Sequence, residues 1–165
     1  MGRIELTLRI EASAALVFDL ARDIDAHVAS TPGTEERPVA RGGGKTTGLM
    51  ELGDEVTWRA RHLGVTQELT SRITAFDRPR YFRDSLVRGA FARFDHDHFF
   101  EELAPRCTVM RDVFDFASPL GPLGWLADAL FLDRYMRRLL ETRGRVLKEL
   151  AERAASPIPA RYPRI

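Results

Sequence analysis

The chain has 165 residues, 44% of them apolar and 30% charged. That suffices for one sizeable core under an ordinary solvated surface, at the usual size of one domain. The formal net charge is +1, so no large field selects nucleic acid as a partner. The single cysteine, Cys107, excludes an intramolecular disulfide and a cysteine zinc cluster, and no apolar run reaches the length of a membrane span.

Residues 3–11 alternate, with Ile4, Leu6, Leu8 and Ile10 on one face and Arg3, Glu5, Thr7, Arg9 and Glu11 on the other. This predicts a strand with one buried face. The same alternation leaves no continuous apolar stretch, so a secretory leader is not expected and a cytoplasmic location is. Ser13 then stands where it can cap a short helical segment carrying Leu16, Val17, Leu20 and Ile24, which Thr31-Pro32-Gly33 ends. Pro38, Gly42-Gly43-Gly44 and Gly48 predict a short strand and then a mobile loop over the cavity mouth. Gly44-Lys45-Thr46 is not the end of a phosphate-binding loop, because Val39 stands where the first glycine is required.

Strands follow over 54–63, 66–76, 81–88, 93–102 and 107–116, broken at Gly64, Asp77-Arg78-Pro79, Gly89 and Pro105. These spacings suit antiparallel hairpins. Pro119, Gly121 and Pro122 end the sheet region, and residues from about Leu123 to Ala154 read as one long helix. Its inward stripe includes Met136, Leu139, Leu140, Arg143, Val146, Leu147 and Leu150. Residues 156–165 are expected to be an extended or disordered tail. One antiparallel sheet with an apolar face, and one long amphipathic helix to cover it, define an α+β domain.

The period of two also assigns polar groups to the apolar faces. Asp84 shares a face with Phe82 and Leu86. His96 and His98 share one with Phe94 and Phe100. Asp112 shares one with Met110, Phe114 and Phe116. A turn at Gly89–Ala92 sets Asp84 opposite His98; a turn at Leu103–Arg106 sets Asp112 opposite His98 as well. His96 then lies one step away, beside Leu86 and Phe114. Arg143, on the covered helix face, needs a carboxylate or a ligand anion, and Asp84 and Asp112 are the candidates. Trp58 and His62 share a face with Val56 and Ala60 and are expected to line the same cavity.

Several of these residues carry a likeness. Phe82-Arg83-Asp84, Arg88-Gly89-Ala90-Phe91, Phe94-x-His96-x-His98-x-Phe100, Met110-x-Asp112 and Ser118-Pro119-Leu120-Gly121 resemble the polyketide cyclase/dehydrase-like, ligand-binding branch of the START-related superfamily, also called SRPBCC or Bet v 1-like. The resemblance implies a helix-grip fold: a curved antiparallel sheet of about seven strands around a long C-terminal helix, with two short helices after the first strand. It implies one START-like domain over residues 1–155. It also supplies the ligand class, a hydrophobic small molecule such as a lipid, a quinone or a polyketide-like compound. The expected ligand contacts are Trp58, His62, Phe82, Asp84, Leu86, Phe94, His96, His98, Phe100, Met110, Asp112, Phe114, Met136, Leu139, Leu140 and Arg143.

Two other classes of function compete. As a cyclase or dehydratase, the protein would use His98 as general acid or base, oriented by Asp84 or Asp112, with Arg143 at an enolate-like oxygen. Bonds that use both ring nitrogens of His98 would argue against this. As a docking module, it would meet a membrane or a second subunit through residues 120–131, where Leu120, Leu123, Trp125, Leu126, Leu130 and Phe131 make an apolar run. His96-x-His98 with one aspartate is also a two-histidine, one-carboxylate set. No further ligand is supplied at metal-site spacing, so no metal and no cofactor are expected. The basic side chains Arg134, Arg137, Arg138, Arg145 and Lys148 read as a solvated helix face. Cys107 has no base at motif spacing and is not expected to be a nucleophile.

Overall fold

The computed structural model describes residues 2–31, 33–62, 64–117 and 131–156, apart from the side chain of His62. The elements follow in the order β1 (Gly2–Ile10), α1 (Ala14–Ala21), α2 (Ile24–Ser30), β2 (Arg37–Pro38), β3 (Glu55–His62), β4 (Val65–Asp77), β5 (Tyr81–Arg88), β6 (Arg93–Ala104), β7 (Cys107–Ala117) and α3 (Asp133–Ala155). The strands form one antiparallel sheet in the order β1-β7-β6-β5-β4-β3-β2. This is the curved sheet and long final helix of a helix-grip fold. Register shifts at Thr70/Ser71 and Ile73/Ala75 in β4 and at Glu102/Ala104 in β6 bend the strands.

The predicted helical segment after β1 is two helices. Ser13 makes no side-chain cap bond. The chain turns at Arg22-Asp23, where Asp23 Oδ1 accepts from the amides of Asp25 (2.7 Å) and Ala26 (3.1 Å) and so caps α2. The glycine loop does not cover the cavity. Lys45 ties it back to β3 through its amide on Glu55 O (2.7 Å), and its side chain pairs with Asp54 at 2.5 Å. The predicted first part of the long helix, 123–130, lies outside the described residues, as do most of the apolar run and residues 157–165. None of the described helices is long and apolar enough to cross a membrane.

α3 packs chiefly on β1, α1 and α2. Gly144 makes the approach to β1 close: a Cβ there would stand 2.6 Å from Leu8 Cδ1. The core divides in two. Phe18 of α1 anchors one part among Ile10, Val17, Phe82, Phe100 and Met110. Ile4, Phe94, Phe114, Phe116 and Leu140 form the other. A cavity remains between the sheet and α3.

Candidate functional site

Asp84, His98 and Asp112 sit on three neighbouring strands. β6 and β7 pair His98 with Asp112, as the turn at Pro105 predicts. β5 and β6 pair Asp84 with His96, and Phe82 with His98. The predicted Asp84–His98 pair is therefore two residues out of register, and His96 stands beside Asp84, not Leu86. A slip of two keeps every side chain on its face, so the groups still meet.

His98 Nδ1 bonds Asp112 Oδ1 at 2.8 Å, and Nε2 bonds Asp84 Oδ1 at 3.2 Å. A carboxylate only accepts, so the imidazole between two of them donates twice and is charged. Burial opposes that charge, but Asp112 and Asp84 outweigh it and raise the His98 pKa. Burial alone would raise Asp112 as well; His98 instead brings it down to about 2. Asp84 is lowered against its burial by the bond from His98.

His96 is different. Its ring centroid lies 3.9 Å from that of His98, and its edge meets Phe114 at 5.2 Å. Nδ1 is 3.9 Å from Asp84 Oδ1, and Nε2 is buried with no hydrogen-bond partner among the described residues. Burial, reinforced by the charge on His98, pushes its pKa down to about 3. A charged and a neutral imidazole therefore lie side by side.

The cavity between sheet and α3 has a volume of about 260 Å³. Among the predicted strand contacts, Trp58, Asp84, Phe94, His96 and Phe114 line it; among those on the helix, Met136, Leu139, Leu140 and Arg143 do. The others do not. His98 and Asp112 lie behind Asp84 and His96. Phe82, Phe100 and Met110 belong to the core around Phe18, and Leu86 packs beside the Phe94 cluster. The side chain of His62 is outside the described residues.

Arg143 lines the cavity from α3, but its guanidinium donates to the carbonyl of Ala21 at 3.4 Å. The predicted ion pair with Asp84 or Asp112 is not formed among the described residues. The Ala21 carbonyl, at the negative end of the α1 dipole, takes the arginine instead. Its charge still acts across the cavity on Asp84, Asp112 and His96.

Sequence reasoning missed further polar groups on the cavity wall. His27 stacks on Trp58, with centroids 4.1 Å apart and planes 20° apart. Its Nε2 is 3.3 Å from Glu36 Oε2, and Tyr135 lines the same cavity. The spacing of Ile24 and His27 on α2 and Thr31 at its C-cap was the available signal. Phe91, from the β5–β6 turn, also points in, edge-on to Phe94, Phe114 and Phe116.

Burial, then the Arg143 charge, lowers the His27 pKa; Glu36 and Asp84 oppose this more weakly. The folded protein holds His27 neutral, while the unfolded chain protonates it below about pH 6.5. Stability present above that pH is lost as pH falls toward the lowered value. Between about pH 6.5 and 5, the Tm of the wild type is expected to fall more steeply than that of His27→Phe. Parallel Tm profiles of the two proteins would contradict this.

The sequence model of the family described as polyketide cyclase / dehydrase and lipid transport matches residues 1–153. No curated protein matches the chain in sequence. Solved structures do match in shape. Protein TTHA0849 of Thermus thermophilus is 18% identical, with TM-score 0.74 over 94% of this chain and 100% of its own. A START superfamily protein from Mycobacterium smegmatis is 15% identical, with TM-score 0.69 over 92% of this chain and 98% of its own. The ZhuI aromatase/cyclase of Streptomyces sp. R1128 is 18% identical, with TM-score 0.66 over 94% of this chain and 96% of its own. At these identities the likeness is one of fold.

Proposed function

We propose that this chain, which belongs to the polyketide cyclase / dehydrase and lipid transport family, binds a small, largely apolar molecule between its sheet and α3. The observation that carries this reading is the cavity of about 260 Å³. Its walls combine aromatic and aliphatic side chains with a few convergent polar groups, the pattern of a small-molecule site. Asp84, His96, Arg143, His27, Glu36 and Tyr135 supply those polar groups. Lipid, quinone and polyketide-like compounds fit that description.

The cyclase or dehydratase reading loses its central residue. Both ring nitrogens of His98 are bonded to carboxylates, and His98 lies behind the cavity wall. The docking reading rests on residues that, apart from the exposed Phe131, lie outside the described ones.

Denaturing extraction and mass spectrometry of the protein purified from its native host is expected to find a stoichiometric apolar compound. Ala60→Phe and Leu139→Trp each add bulk at the wall and are expected to lower the bound amount about tenfold or more. Recovery of no compound, together with no uptake of an apolar fluorophore by the wild type, would sink the proposal.

A further inference from the structure

Asp84, His96 and His98 do more than close a hydrogen-bond network. One nitrogen from each imidazole and one Asp84 oxygen lie within 4.8 Å of one another. The two edges of that triangle that meet at Asp84 are short: 3.2 Å from His98 Nε2 to Asp84 Oδ1 and 3.9 Å from His96 Nδ1 to the same oxygen. Donor bonds of about 2.0–2.2 Å to one ion set neighbouring donors roughly 3 Å apart. A contraction of about 1 Å or less along these edges, with the two imidazole nitrogens, at most 4.8 Å apart, drawing together as well, makes a coordination face.

Three further observations point the same way. The His96 side chain is only 4% exposed, and its Nδ1 stands 3.9 Å from Asp84 Oδ1, beyond hydrogen-bond distance. Among the described residues no hydrogen bond fixes this ring. Behind His98, Asp112 accepts from Nδ1 at 2.8 Å. Such an outer carboxylate fixes the tautomer that presents Nε2 to an ion. In front, Asp84 and His96 border the cavity, which leaves room for water or a ligand oxygen on the open side. Asp84 and Asp112 supply two negative charges against the positive charge of Arg143.

We propose that Asp84, His96 and His98 bind a first-row divalent transition cation, with a coordination position open to the cavity. A two-histidine, one-carboxylate face suits such ions better than calcium or magnesium, which take all-oxygen sets. The cation replaces the hydrogen that now joins His98 Nε2 to Asp84, and that proton leaves to solvent. The inference is independent of the apolar-ligand reading, because the ion is assayed alone.

The test is titration of untagged, chelator-treated protein with Co²⁺, read by its visible d–d absorption and by calorimetry. One equivalent is expected to bind with nitrogen-ligand absorption and to raise the Tm. His96→Ala and Asp84→Ala should each lose the absorption and about 100-fold or more in affinity. Asp112→Asn should weaken binding by about 10–100-fold. Phe131→Ala, at an exposed ring that lines no part of the cavity, should bind as the wild type does. Circular dichroism and cooperative melting check that each variant folds; if one does not, His96→Gln decides. Absence of the absorption in the wild type would overturn the proposal. So would Co²⁺ affinity left unchanged in folded His96 and Asp84 variants, which would mark an adventitious ion only.

Discussion

Replacing Phe18 with alanine is expected to cost about 3–5 kcal/mol of stability. The ring is fully buried. It meets Phe76, Phe82 and Phe100 edge-on, at centroid distances of 5.3, 5.4 and 5.3 Å. Those partners come from three strands, so one side chain of α1 clamps β4, β5 and β6 together. Edge-to-face pairs add about 0.5–1.5 kcal/mol each beyond area burial. A domain of this size holds about 5–15 kcal/mol in all, so the Tm should drop by roughly 6–20 °C. Thermal and urea unfolding will measure this, with Phe131→Ala, at an exposed ring, as the control expected to change little. A loss below about 1 kcal/mol would mean that α1 is not what holds this end of the sheet.

The second large effect is expected at Arg22, whose side chain is 5% exposed. Its guanidinium donates to Asp19 Oδ1 (2.8 Å), Glu51 Oε1 (2.7 Å) and the Met50 carbonyl (2.9 Å). Its Cζ lies 5.3 Å from the Phe76 ring centroid. One residue thus pins the α1–α2 junction to the segment before β3. Arg22→Ala removes the charge and the packing and strands the carbonyl, a loss of about 3 kcal/mol. The low end of the range applies because Asp19 keeps Arg78, at 2.6 Å. Arg22→Met restores the apolar bulk and should lose clearly less. Equal losses for the two variants would show that the hydrogen bonds, not the packing, carry the effect.

Much of the fold was legible because alternation is a strong signal wherever one face is buried. β1 and β7 follow from the spacing of Ile4, Leu6, Leu8 and Ile10 and of Met110, Asp112, Phe114 and Phe116. The site was legible for the same reason: polar side chains at apolar positions are conspicuous. Register was readable at β6–β7, where Pro105 fixes a tight turn. It was misread by two at β5–β6, where Gly89 has φ +153° and Phe91 folds into the cavity. The depth of each residue was not readable. Alternation tells inside from outside, and cannot tell a cavity wall from the core behind it, so Phe100 and Met110 were read as wall and lie in the core around Phe18. Contacts between distant elements were also hidden. Nothing in the sequence says that Arg143 meets the end of α1 or that His27 meets Trp58.

The pairing of β1 with β7 also sets an order of assembly. β3 to β7 close by local hairpins. β1 pairs with β7 alone, and Arg3 and its partner Asp115 are 112 residues apart. During synthesis β1 is made early and has no sheet to join until β7 has left the ribosome. Until then Ile4, Leu6, Leu8 and Ile10 present an unpaired apolar edge, the kind of segment that aggregates or engages a chaperone. α3 rests on β1, with Gly144 against Leu8, so the helix cannot seat before that strand does. The roof of the cavity is therefore the last part of the sheet–helix assembly to be put in place, and a nascent chain has no enclosed compartment to offer a ligand.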